Sequence, residues 1–285
     1  MRRRRLLQYG SVLLASPAYA LPPPPQAIGT YERESGGHIG VYAENLATGG
    51  KLLWRADERF VMCSTFKASL AACVLRRVER GQEKLDRNVA YTKADVPDWY
   101  APVAKEKLAR GSMTVAEMCR AAVEQSDNTC ATLLLSSVGG PAALTAFWRS
   151  IGDTQTRLDD PEPYLNRTPL GGVRDTTTPE AMAKVLQRVV LGDVLSDSSR
   201  ALLTGWLVGC QTGGNRLRAG LPKTWRVGDK TGNNAKDAAG DIAVLWPKPD
   251  APIIVAVYTR GGAPTDAQLT AAFSGVGALV AKTLG

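Results

Sequence analysis

The period of the apolar pattern changes twice along this chain, and that change most limits what it can fold into. "HIGVYAENLATG" (38–49) reads as a strand, Gly49-Gly50 turns it, and "KLLWRA" (51–56) runs back, which predicts a hairpin. From Ser64 the spacing becomes helical through Glu79, with Gly81 placed to end the helix. Helical segments then dominate the middle third. Thr114 and Glu117 form a capping box ahead of "VAEMCRAAVEQ". "NTCATLLLSSVGG" and "GPAALTAFWRSIG" follow, and Thr178-Pro179-Glu180 supplies an N-cap, a first-turn proline and an acid to the next helix. "DSSRALLTGWLVG" reads as one more. The last quarter returns to β-rich runs, "TWRVGDKTG", "DIAVLWP" and "PIIVAVYTR", before a closing helix, "TDAQLTAAFSGVGALVAKTL".

Two chain ends that read as strands around a helical middle predict an α/β fold of the α+β type. Residues 21–59 and 212–285 would build an antiparallel sheet with terminal helices. Residues 60–211 would form an inserted all-helical lobe. The 285 residues suffice for two lobes that share a core, and no internal repeat is visible. Asp153 to Thr177 has no period and is rich in Pro, Gly, Asp and Asn. A loop of that length inside a compact chain is usually functional.

The N-terminus reads as a targeting segment. "MRRRR" is a basic stretch, "LLQYGSVLLASP" a short apolar one, and Ala18-Tyr19-Ala20 a small-x-small cleavage site. A Sec signal over residues 1–20 is expected, with a twin-arginine signal as the alternative. The mature protein is then periplasmic or secreted, beginning with an extended Leu21–Pro25 leader. Loss of Arg2 to Arg5 lowers the net charge of +8 to +4, and no basic stripe is interleaved with aromatics. Nucleic acid is therefore not an expected partner. No apolar run reaches the ~20 residues of a membrane span. Five cysteines at 63, 73, 119, 130 and 210 are an odd number without a CxxC pair, so small buried core residues are expected and a zinc site is not. The one histidine, His38, lies in a strand pattern, so a serine nucleophile in this chain would need a base other than histidine.

Four short elements carry chemistry. Ser64-Thr65-Phe66-Lys67 puts a hydroxyl and an amine three residues apart on one helix face, the arrangement of a nucleophile and its base. Ser126-Asp127-Asn128 follows a helix. Glu162 and Asn166 lie in the aperiodic loop as E-x-x-x-N. Lys230-Thr231-Gly232 lies on a strand. Taken singly, Ser126 and Asn128 could cap a helix, Glu162 could be solvated and Lys230 could be a surface residue. Together and in this order they point to one site.

With "SDNTCATLLL", "RLDDPEPYLN", "RDTTTP" and "GDKTG", the chain resembles class A serine β-lactamases over nearly all of its mature length. The resemblance implies a β-lactamase/transpeptidase-like fold and a hydrolase that opens β-lactam rings through an acyl-enzyme. It needs no metal or other cofactor, and a monomer is expected. Ser64 would attack the lactam carbonyl, and Ser126 would pass a proton to the ring nitrogen. Lys67 or Glu162 would be the acylation base, a point on which the family is disputed. Glu162 and Asn166 would hold the deacylating water. The backbone N–H groups of Ser64 and Asn233 would form the oxyanion hole. Lys230, Thr231 and Arg216 would receive the substrate carboxylate, Asn128 the side-chain amide, and Tyr100 or Trp99 would line the wall. The rival within this resemblance is a penicillin-binding DD-peptidase acting on peptidoglycan stem peptides.

The chain departs from the family pattern in places. The last residue of the family's R-L-D-R is Asp160 here, so it faces another acid, Asp175, where an arginine would pair with it. The loop neck would then be held through Arg157 or Arg174, and would be rearranged or looser. Cys63 resembles one half of a disulfide found in carbapenem-hydrolysing members, but residues 230–235 read Lys-Thr-Gly-Asn-Asn-Ala, so the partner is missing. Cys119 resembles half of another; its partner position is Ala71, and Cys73 lies ~200° around the helix from it, so no bridge is expected. Asn233 and Asn234 replace commoner small residues, which leaves side-chain specificity open.

Overall fold

The computed structural model describes residues 23–169 and 171–285, so the expected signal segment lies outside the described residues. In chain order the elements are α1 (Gln26–Ser35), β1 (His38–Asn45), β2 (Lys51–Trp54), β3 (Phe60–Val61), α2 (Phe66–Glu79), β4 (Asn88–Ala90), α3 (Pro102–Glu106), β5 (Ser112–Thr114), α4 (Val115–Glu124), α5 (Asn128–Val138), α6 (Gly140–Ser150), β6 (Thr176–Thr177), α7 (Pro179–Val190), α8 (Asp197–Val208), α9 (Leu217–Gly220), β7 (Arg226–Asn233), β8 (Ala239–Trp246), β9 (Ile253–Arg260) and α10 (Asp266–Leu284).

Five strands form one antiparallel sheet in the order β2-β1-β9-β8-β7, so the two chain ends meet at the β1–β9 pair. Helices cover both faces. On one side Ile39, Val41, Val255 and Val257 pack with Ile28 of α1 and Phe273 and Val276 of α10. On the other, Tyr42, Ile254, Ala256 and Tyr258 pack with Leu70 of α2 and Met182 of α7 in the larger core. Burial on both faces explains why β9 is a run of apolar residues and why β1 is buried almost throughout rather than alternately.

The first described element is a helix, not a strand as the sequence suggested. Pro25 keeps an extended conformation (φ −51°, ψ 147°) and leads into α1, which has no side-chain cap. Its polar sequence, with only Ile28, Gly29, Tyr31 and Ser35 buried, gives a weak helical signal. The predicted caps do form. Thr114 accepts from the Glu117 N–H and Glu117 from the Thr114 N–H, and the Thr178 side chain accepts from the Ala181 N–H. Gly81 follows α2 at φ +69°, as a helix-ending glycine should. His38 opens β1 opposite Arg260. All five cysteines are buried and free, so neither Cys63 nor Cys119 is bridged.

Candidate active site

Three elements meet at Ser64. The residue lies in a single 3₁₀ turn (Cys63–Thr65) that feeds α2, after Cys63 at φ +47°. Strand β7 presses against this turn. A Cβ on Gly232 would lie 2.9 Å from the Ser64 backbone nitrogen and 2.9 Å from the Met62 carbonyl oxygen, so only glycine permits the approach. The next strand residue is Asn233, so its backbone follows directly on this close approach. Thr65 anchors the turn from below: its hydroxyl bonds the Met62 carbonyl at 2.8 Å and the Tyr258 hydroxyl at 2.8 Å.

Lys67 is the second residue of α2, three positions after Ser64, and is fully buried. Its Nζ donates to the Ser126 carbonyl at 2.8 Å and to Asn128 Oδ1, and lies 3.6 Å from Glu162 Oε1. Burial lowers the Lys67 pKa, while the Glu162 and Asp127 carboxylates oppose the shift. Lys230 approaches from β7, also fully buried, and donates to Ser126 Oγ at 3.0 Å and to the Thr231 carbonyl at 2.7 Å. Burial, with Lys67 as a second cation, brings its pKa down to about 8. Ser126 therefore sits between two amines, and its backbone is held at φ +58°.

Asp127 serves the fold. Its Oδ1 accepts the Cys130 N–H that opens α5, and its Oδ2 accepts the Val103 and Ala104 N–H groups of α3. That fastening turns Ser126 and Asn128 toward Lys67. Asn128 N–H bonds the Tyr100 carbonyl at 3.0 Å, which places Tyr100 beside the site with 57% of its surface exposed. Trp99 instead turns inward and donates from its indole to Thr129 Oγ1 at 2.8 Å, whereas Tyr100 stays exposed.

Glu162 is 6% exposed. The Asn166 amide donates to its Oε2 at 3.3 Å, while Glu162 Oε1 and Asn166 Oδ1 are buried acceptors without a hydrogen-bond partner. At the loop neck Arg157 pairs with Asp159 and Arg174 with Asp160, and neither bonds Asp175.

Thr231 is held by the Thr212 hydroxyl at 2.6 Å. Arg216 lies apart from the rest. Its guanidinium carbon is 4.8 Å from the centre of the Phe273 ring, and no hydrogen bond joins it to Lys230 or Thr231. The Asn233 side chain is exposed and accepts from the Ala235 N–H, and Asn234 Oδ1 accepts the N–H groups of Lys236, Asp237 and Ala238, so both asparagines build the β7–β8 turn.

Sequence reasoning missed the supports. Thr212 gave no signal. Half-buried Arg218 pairs with the fully buried Asp229 beside Lys230, with Arg218 Nε 2.7 Å from Asp229 Oδ1. The clue was an acid beside Lys230 in a strand interior, where a carboxylate needs a partner. Among the described residues no cluster of candidate ligands could hold a metal ion.

The model of the β-lactamase enzyme family matches residues 24–284. β-Lactamase L2 of Stenotrophomonas maltophilia is 44% identical over the full length of both chains. A carbapenem-hydrolyzing β-lactamase KPC of Klebsiella oxytoca is 45% identical over 89% of this chain and 86% of its own. Among solved structures, an ancestral class A β-lactamase aligns with a TM-score of 0.86 and 52% identity, covering 90% of this chain and 99% of that one. A β-lactamase from Xanthomonas campestris aligns at 0.87 with 42% identity, covering 91% and 96%. A buried lysine pair and a loop glutamate gathered with Ser126 beside the Ser64 turn agree with these likenesses: the chain belongs to the β-lactamase enzyme family, in class A, and hydrolyses β-lactams.

Proposed function

We propose that hydrolysis proceeds through a Ser64 acyl-enzyme that Glu162 deacylates with water. The observation that carries this reading is the buried Lys67–Glu162 contact of 3.6 Å, which links the nucleophile's helix to the loop. Lys67 takes the Ser64 proton, since burial favours its neutral amine. The oxygen of the tetrahedral intermediate is received by the Ser64 and Asn233 N–H groups. Ser126, bonded to Lys230, returns a proton to the lactam nitrogen as the C–N bond breaks. A water donating to Glu162 Oε1 and Asn166 Oδ1 would satisfy both acceptors and stand ready to attack the ester.

Lys230 and Thr231 take the substrate carboxylate with charge-assisted bonds, with the Arg216 charge behind them. Asn128 takes the side-chain amide and Tyr100 the wall. Residues 21–59 with 212–285, and residues 60–211, act as two lobes with this cleft between them. The N-terminal segment directs export to the periplasm or medium, and the protein works as a monomer. No single described helix is long and apolar enough to cross a membrane.

A chromogenic cephalosporin tests the reading. Wild-type chain turns over continuously. Glu162→Gln gives a burst of one equivalent, a trapped acyl-enzyme seen by mass spectrometry, and deacylation slower by about 10²–10⁴-fold. Fast sustained turnover by the variant would refute the Glu162 role. A burst that stops in the wild type would favour the DD-peptidase instead.

A further inference from the structure

The neck of the loop that carries Glu162 and Asn166 is built from acids. Asp175 is 0% exposed and lies in the left-handed region at φ +55°. Its Oδ1 accepts the N–H groups of Asp159 at 2.7 Å and Asp160 at 2.9 Å, and its own N–H donates to Asp159 Oδ2 at 3.1 Å. Its carbonyl accepts the Met62 N–H at 3.2 Å, two residues before Ser64. One residue thus ties both loop ends together and joins them to the nucleophile's turn.

The other oxygen, Oδ2, is buried without a partner. Every nearby cation is engaged elsewhere. Arg157 pairs with Asp159, Arg174 grips both oxygens of Asp160, and Arg59, from the β3 side, bonds Gln155 and Thr176. Two acids adjoin it: the Asp159 carboxylate is turned to the Asp175 N–H, and the Asp160 carboxylate bears on the Asp175 carboxyl. Burial and the negative charge of Asp160 push the Asp175 carboxyl up to about 6, although two backbone N–H bonds pull it down.

We propose that Asp175 and Asp160 form a shared-proton clasp that positions Glu162: Asp175 Oδ2 carries a proton, donates it to the Asp160 carboxylate, and so closes the loop neck. Losing that proton to solvent sets two carboxylates against each other inside the neck, loosens the loop and slows deacylation. Only this proton moves, exchanging with water, and no other bond forms or breaks. Asp175 touches no substrate; it is a positioning residue. The kinetic part rests on the Glu162 reading, whereas the stability part stands without it.

The sign follows from linkage. An acid whose folded pKa is raised binds more protons folded than unfolded, so its charge costs the fold more as pH rises from about 4 to about 6, and the full cost persists above that. Asp175→Asn keeps the Oδ1 acceptor and replaces the shared proton with a permanent amide donor toward Asp160. Single-turnover kinetics on a penicillin separate acylation from deacylation. Wild-type deacylation should fall about tenfold between pH 6 and pH 8, and Asp175→Asn should abolish that fall. The melting advantage of Asp175→Asn over wild type should grow by about 4 °C from pH 4.5 to pH 8. Asp160→Asn, which offers an amide donor to an ionised Asp175, should flatten the deacylation profile as well, and serves if Asp175→Asn fails to fold. Identical pH profiles in wild type and variants, or a melting difference that does not change with pH, would overturn the clasp. If Glu162→Gln turned over rapidly, the deacylation reading would fall while the melting test still judged the clasp.

Discussion

Lys67 and Lys230 are placed where an ammonium is least at ease, and that placement makes them useful. Each is fully buried, and each finds a carbonyl at hydrogen-bond distance, so part of the lost hydration is replaced. With its pKa near 8, Lys230 is charged at neutral pH and loses its charge within the working range of an enzyme assay. Below pH 8 it is an ammonium, the form that on our proposal receives the substrate carboxylate; above it, a neutral amine. KM for a penicillin should therefore rise as pH passes 8, and a Lys230→Arg variant, which stays charged, should delay that rise. Steady-state KM from pH 6.5 to 9.5 checks this, and a flat KM in the wild type would count against the assignment. Ser64, Lys67 and Lys230 stood out in the sequence because their motifs are local, and the structure brings Lys67 and Lys230 together at Ser126. Thr212, Arg218 and Asn234 were not, because each acts through a partner that folding brings to it.

At the scale of the element, Asp127 shows how one side chain can set several. It opens α5 and holds the start of α3, although α3 is only five residues long and has no side-chain cap of its own. Asp127→Ala should leave three backbone N–H groups without their acceptor and cost about 3 kcal/mol. Urea denaturation reads that loss, and kcat should fall too, because Ser126 and Asn128 flank the lost anchor. Helix caps were readable in advance, since a cap is a contact within a few residues. The burial of β1 on both faces was not foreseen, and α1 was missed, for one shared reason. Whether a strand has a wet face, or a mostly polar decamer is helical, depends on what packs against it. Here α1 and α10 supply that covering on one face of the sheet.

At the scale of the molecule, the sheet joins the two ends of the chain, and charges sit behind it. Asp229 is 0% exposed and its carboxyl is pushed up by burial, with Arg218 pulling it back down. Removing the arginine would leave that carboxylate buried and unpaired. Arg218→Met should destabilise the fold by about 3–5 kcal/mol at pH 7.5. The loss should shrink toward pH 5, because a protonated Asp229 no longer needs a countercharge; denaturant midpoints at the two pH values check both statements. What the sequence determined by itself was the set of local patterns: the two changes of period, the caps, and four motifs that name a nucleophile, amines, a hydroxyl and a general base. Tertiary structure alone decided which of these groups touch, that Arg157 and Arg174 pair with Asp159 and Asp160 and leave Asp175 Oδ2 without a partner, and that Arg216 rests on Phe273 instead of bonding Lys230 or Thr231. The physical reason is range. Backbone hydrogen bonds and apolar period are written within a few residues, whereas burial and charge pairing depend on neighbours that may be a hundred residues away along the chain.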